Sequence, residues 1–324
     1  MSRVYNFLKA TKGAVIPPVV TWLDSNGSVD LDAMTAHADW LLRNGASGIF
    51  VLGSTGEFPY LTFDQKRRII EGMVSHVGPD IPVIAGISSM SLENAMRLGK
   101  VAIELGASGL MAIVPEFFPL KPGDVERYYR ALSMGINGNS GKDTPLILYY
   151  MPLVSSFKLE PRLIFQLAKE KVIHGIKYTG FKTEYMKELK DMLDKDYTVQ
   201  CNTFVGTDAC LLDCLKGGIA IDGAIMGSLN LFPGFYKALL QSYTEKPRNE
   251  AKCNALAKTV PIIVELFSME LRELPVLVKE TLRLGNLPFA KNTAVSQPLP
   301  SMSTRTKDKI VQALDKLKTK GIEL

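Results

Sequence analysis

Val172-Ile173-His174-Gly175-Ile176-Lys177-Tyr178-Thr179 is a short β-branched, apolar run with a single lysine near its end. A run of this length between two helical patterns reads as a buried strand. The flanking amphipathic segments are Glu160–Lys171 and Lys182–Asp194. Moving outward, the same alternation recurs. Strands are expected at Ala14–Val20, Ser47–Leu52, Pro82–Ile87, Ser108–Val114, Pro145–Tyr150, Tyr197–Asn202 and Ala220–Met226. The matching helices are Asp30–Asn44, Thr62–His76, Ser91–Leu105, Lys121–Met134, Thr207–Lys216 and Asn230–Tyr243. Thr62 and Ser91 stand where N-caps belong, and Pro161 at a first helical position. Gly45, Gly106 and Gly217 stand where helices should stop. Eight strand–helix repeats predict an α/β fold of the (β/α)8 TIM-barrel class. A doubly wound sheet uses the same alternation, but it usually announces a glycine-rich first turn. The chain has no GxGxxG and no GxxxxGK[ST].

Past about Gln241 no strand pattern follows. Arg248–Met269, Pro275–Leu284 and Thr304–Lys318 read as helices, with the Pro- and Asn-rich Gly285–Ser303 as connector. The expected organisation is a catalytic barrel over residues 1–240 and a helical layer over 241–324 packed on it.

In such a barrel the C-terminal strand ends and the loops after them carry the chemistry. Lys177 falls there. Desolvation disfavours a charged lysine and can release the neutral amine that attacks a ketone. Tyr149 ends the fifth strand, and alternation puts Tyr149 inward if Tyr150 faces the helices. Gly53-Ser54-Thr55-Gly56-Glu57 follows the second strand, and its hydroxyls and backbone N–H groups suit a small carboxylate. An amine, a phenol and an anion cradle from three strands are the equipment of a carbonyl reaction.

Composition closes other routes. The 324 residues are 46% hydrophobic and 22% charged, with a formal net charge of +5. No apolar run is long enough to span a bilayer and Met1–Ala10 lacks a leader pattern, so a cytoplasmic enzyme without membrane attachment is expected. The basic stretch Thr304–Lys320 reads as one amphipathic helix, not a nucleic-acid arm, because no aromatic or reader motif accompanies it. Cys201, Cys210, Cys214 and Cys253 form no CxxC pair and are expected to be buried thiols. His37, His76 and His174 lie on separate elements without ligand spacing, so no metal site is expected.

Gly53–Glu57, the Tyr-x-x-Pro of Tyr149–Pro152 and the Gly-Ile-Lys of Gly175–Lys177 resemble the N-acetylneuraminate lyase/dihydrodipicolinate synthase family of pyruvate-dependent class I aldolases. The resemblance runs over essentially the whole chain, C-terminal helices included. It implies a Schiff base on Lys177, proton transfer through Tyr149, and a 2-oxo acid carboxylate held by Ser54 and Thr55. It implies no cofactor, pyruvate and an aldehyde as the small-molecule partners, and a homotetramer built as a pair of dimers.

Departures from the family pattern bear on the substrate. Synthases of the family carry a tyrosine after the fourth strand, where this chain has Phe117 and Phe118. They also carry an arginine after Tyr-x-x-Pro, where it has Leu153–Phe157. Gly206-Thr207-Asp208 and the run Gly223–Pro233 resemble the sugar-acid aldolase branch, which makes Gly206, Asp208, Ile225 and Ser228 candidate contacts for a polyol tail. Asp208 could instead, or also, cap the helix Ala209–Lys216. The expected reaction is reversible cleavage of a 2-keto-3-deoxy sugar acid, such as 2-keto-3-deoxygluconate, to pyruvate and an aldehyde. The alternatives are synthase or N-acetylneuraminate lyase activity, a phosphate-binding barrel using Gly206 and Gly227, and a non-catalytic barrel that binds a 2-oxo acid.

Overall fold

Eight strands alternate with eight helices along the chain in the computed structural model, which describes residues 2–138, 144–268 and 270–324. After an N-terminal helix α1 (Arg3–Ala10), the order is β1 (Ala14–Val15), α2 (Leu31–Arg43), β2 (Ile49–Val51), α3 (Phe63–Val77), β3 (Val83–Gly86) and α4 (Leu92–Glu104). Then come β4 (Gly109–Ala112), α5 (Pro122–Asn137), β5 (Leu146–Tyr150), α6 (Pro161–Lys169), β6 (Gly175–Tyr178) and α7 (Thr183–Lys195). The series ends with β7 (Asn202–Val205), α8 (Asp208–Lys216), β8 (Gly223–Ala224) and α9 (Pro233–Thr244). Four helices follow: α10 (Glu250–Ala257), α11 (Val260–Leu266), α12 (Leu274–Leu284) and α13 (Thr304–Lys318). This succession is the (β/α)8 fold with helices appended at the C-terminus.

The chain divides into two units, Met1–Ala14 with Gly78–Ile225, and Val15–Val77 with Met226–Leu324. In the first unit, β3 to β8 pair in parallel, each with the next. Every residue of these strands is buried, which is why they read as unbroken apolar runs. In the second unit the backbone at Val15, Pro17 and Val19 bonds to Ser47 and Phe50.

Helix starts follow local chemistry. The side chains of Asp30 and Ser91 accept from the amides of Ala33 and Asn94, and Thr62 and Gln65 cap each other's amides. All four cysteines are buried free thiols, with the Cys210 and Cys214 sulfurs 3.9 Å apart.

Several elements differ from expectation. Helix α1 carried no anticipated pattern, yet Ser2 caps it and Val4 and Phe7 anchor it. The seventh strand is Asn202–Val205, not Tyr197–Asn202. Asp196 accepts from the amide and hydroxyl of Thr198, closing a turn that leaves Tyr197 exposed. The first strand stops at Val15 because Pro17 and Pro18 have no amide to donate. The expected helix Arg248–Met269 breaks into α10 and α11, with Pro261 in the first turn of the second. Its expected last residue, Met269, lies outside the described residues.

Candidate active site

Lys177 and Tyr149 face each other in register on β6 and β5. Both side chains leave the same side of the sheet, and the Lys177 Nζ lies 4.1 Å from the centre of the Tyr149 ring. Each residue is only 5% exposed, so the amine lies over the phenol ring out of contact with bulk water. Register continues from Lys177 to Phe204 and from Phe204 to Gly223, and the Phe204 ring fills the space beside Gly175 and Gly223. The Tyr149 hydroxyl donates to the Met151 sulfur at 3.5 Å.

The adjacent residues point the other way. Tyr150 and Tyr178 stack with Phe157 and with Tyr185 of α7. Burial pushes Tyr178 up to about 12 and Tyr185 well above the ordinary phenol range. This cluster therefore stays protonated and packs, while Tyr149 turns to the amine.

A second tyrosine, from α5, sits behind Tyr149. The fully buried Tyr129 hydroxyl donates to the Ala112 carbonyl at 2.5 Å and accepts from the Tyr149 amide at 3.3 Å. One phenol thus bridges the ends of β4 and β5 at the residue that faces Lys177. Burial raises its proton affinity far above the usual phenol, so it acts as a fixed bridge.

Of the other candidates, Gly206, Asp208 and Ile225 belong to the same unit. The Gly206 amide donates to the Tyr178 carbonyl at 2.8 Å. A Cβ at Gly206 would fall 2.0 Å from the Thr179 hydroxyl, so only glycine fits there. That Thr179 hydroxyl, two residues beyond Lys177, is buried without a partner. Asp208 opens α8 and is mostly buried, while Thr207 occupies the N-cap position and bonds Gly180. The alternative in which Asp208 caps a helix starting at Ala209 is therefore corrected, because the helix begins one residue earlier. Ile225 is fully buried and its amide donates to Val205.

Ser54, Thr55 and Ser228 belong to the second unit. In Gly53–Glu57, the Gly56 and Glu57 amides donate to Gly53 and Ser54, closing a turn with Thr55 buried and Ser54 half-buried. Thr21 donates to the Gly56 carbonyl at 2.7 Å. Ser228 is fully buried in the turn Gly227–Asn230, where its carbonyl accepts from Leu231 and Phe232. The structure brings Lys177 and Tyr149 into contact, and holds each of the remaining candidates by the local bonds just given.

The sequence reading missed Tyr129, Thr179 and the buried Lys279, which pairs with Glu57. Only Lys279 left a signal, as a lysine inside the apolar run Pro275–Leu284. Among the described residues, no three His, Cys, Asp or Glu side chains form a metal-binding group, and no helix is long and apolar enough to cross a membrane.

Residues 11–317 match the model of the dihydrodipicolinate synthetase family. A probable 2-dehydro-3-deoxy-D-pentonate aldolase, YjhH of Escherichia coli, is 28% identical over 91% of this chain and 94% of its own. A 4-hydroxy-tetrahydrodipicolinate synthase of Methanoculleus marisnigri is 30% identical over 71% of this chain and 75% of its own. Among solved structures, the prophage protein YagE of Escherichia coli in complex with pyruvate superposes with a TM-score of 0.84. It is 25% identical over 94% of this chain and 98% of YagE. Fold and relatives define an enzyme, a lyase on a (β/α)8 scaffold. The chain belongs to the dihydrodipicolinate synthetase family.

Proposed function

We propose that the protein is a Schiff-base aldolase that reversibly cleaves a 2-keto-3-deoxy sugar acid to pyruvate and an aldehyde. The observation that carries this is the buried Lys177 amine set 4.1 Å from the ring of Tyr149 on the neighbouring strand. The amine attacks the C2 ketone and water leaves, forming a protonated imine. Tyr149, as the phenolate beside the positively charged imine, accepts the proton of the C4 hydroxyl as the C3–C4 bond breaks, and the bonding electrons pass to the imine as an enamine. The aldehyde departs, Tyr149 returns that proton to C3, restoring the imine, and hydrolysis of the imine frees pyruvate and the amine. In this reading Ser54 and Thr55 hold the carboxylate. Gly206, Asp208, Ile225 and Ser228 line the polyol side, and the buried Thr179 hydroxyl adds a partner there.

Two features favour the sugar-acid branch over the synthases. The loop after β4 presents Phe117 and Phe118 to solvent, and neither can relay a proton. The stretch Leu153–Phe157 offers no guanidinium to grip a second carboxylate. The relatives include both a pentonate aldolase at 28% identity and a synthase at 30%, so the choice of branch rests on these residues. On family likeness we also assign a cytoplasmic homotetramer, a pair of dimers, which sedimentation equilibrium measures.

Borohydride trapping with pyruvate, read by intact mass and peptide mapping, tests the chemistry. A pyruvate-sized adduct on Lys177 is expected, with its loss and the loss of turnover in Lys177→Ala. No adduct on folded wild-type protein, or full turnover in Lys177→Ala, refutes the mechanism. A screen of hydroxyaldehydes against aspartate semialdehyde and N-acetylmannosamine then separates sugar-acid aldolase from synthase and neuraminate lyase.

A further inference from the structure

Glu57 closes the Gly53–Glu57 turn in the left-handed conformation, at φ 60°, which a glutamate rarely adopts. Its side chain is fully buried, and so is that of Lys279 in the middle of α12. The Lys279 Nζ donates to Glu57 Oε1 at 2.7 Å and to the Ala294 carbonyl at 2.6 Å. Glu57 Oε2 accepts from the Ser296 amide at 2.6 Å. One ion pair thus joins the turn, a C-terminal helix and the connector before α13. The turn is also fixed from its other side. Thr21 bonds the Gly56 carbonyl, and a Cβ at Gly56 would press to 2.9 Å from the Val19 carbonyl.

For stability alone this is a poor choice. A buried ion pair seldom outperforms apolar residues of the same volume, and left-handed glutamate adds backbone strain. What the pair does supply is a single geometry, since any slip of the turn strands a charge out of water. Thr55 and Ser54 lie two and three residues from the pinned carboxylate. Desolvation pulls Lys279 below its ordinary range while Glu57 opposes that shift, as expected of a pair held together by mutual need.

We propose that Glu57 and Lys279 are positioning residues that hold the Ser54–Thr55 turn in the form that receives the substrate carboxylate, and that the connector at Ala294–Ser296 is part of this scaffold. The inference rests on the functional reading above, in which that turn binds the carboxylate of a 2-oxo acid.

The test compares two ketones that differ only in charge. Imine formation at Lys177 is trapped with borohydride over a range of pyruvate and of pyruvamide, which lacks the carboxylate. The proteins are wild type, Glu57→Gln, Lys279→Met and the double variant. Circular dichroism and thermal melting establish that each is folded. The half-saturating pyruvate concentration should rise about tenfold or more in the variants, with pyruvamide moving less than about twofold. Where a single variant fails to fold, the double variant decides, because it leaves neither charge stranded. Equal shifts for both ketones, or none, overturn the inference, since a merely structural pair would not single out the carboxylate. Failure of wild type to trap pyruvate defeats the functional reading itself. An adduct with unchanged selectivity in the variants defeats this inference alone.

Discussion

Tyr129→Phe should damage both the fold and the chemistry, through one oxygen atom. The phenylalanine keeps the ring and its packing but removes the bridge between the Ala112 carbonyl and the Tyr149 amide. Both groups lie in a region closed to water, with Ala112 at 0% and Tyr149 at 5% exposure. A hydrogen bond of this kind contributes about 0.5–1.5 kcal/mol net, so losing the two made by the Tyr129 hydroxyl costs about 1–3 kcal/mol. Urea unfolding followed by circular dichroism should register that loss as a lower midpoint with an unchanged slope. The freed end of β5 carries Tyr149, and a displacement of ~1 Å at a reacting group costs about a hundredfold in rate. Trapping of pyruvate on Lys177, which needs only the amine, should persist. A stability loss under ~0.5 kcal/mol together with an unchanged cleavage rate refutes the argument, because the bridge would then be doing neither job.

Tyr149→Phe should retain the borohydride-trapped adduct yet lose about 10²–10⁴-fold in C–C cleavage, as expected of a missing proton acceptor; steady-state cleavage beside single-turnover trapping measures the split. His37 supplies a pH dependence of stability. It is fully buried beside Trp22 and Phe289, bonds the Asn230 carbonyl, and burial depresses its pKa to about 3. An unfolded histidine protonates near ~6.5, so below that pH the unfolded chain binds more protons. The stability from neutral His37 is complete above ~6.5 and declines by up to ~1.4 kcal/mol per unit as pH falls toward its folded value. Urea midpoints measured between about pH 7 and 5 should fall in wild type and flatten in His37→Gln; parallel curves would show that another group carries the dependence.

The strand–helix alternation was legible because a parallel strand buried on both faces leaves an apolar run, and an outer helix leaves a 3.6-residue stripe. The Val172–Thr179 run showed it plainly, and β6 ends one residue after Lys177. Where local chemistry competes with pattern, the reading slipped. Tyr197–Val199 is β-rich, but Asp196 turns the chain there and the strand starts at Asn202. Pro261 cut a helix that periodicity had run through. Helix α1 is too short to leave a long stripe and is held chiefly by its tertiary contacts, with Phe7 against Gly109 and Asn202 bonding Leu8.

By itself the sequence determined the order of the elements, the strand ends that carry Lys177 and Tyr149, and the polar turn at Gly53–Glu57, because each is a property of a few neighbouring residues. Only the tertiary structure decided that the amine stands over the Tyr149 ring and that Tyr129 braces that tyrosine from a helix 20 residues earlier. It alone decided that Lys279 reaches 222 residues back to Glu57. Contacts between distant residues leave no periodicity, and whether a lysine is solvated or buried in a pair depends on what the rest of the chain packs around it.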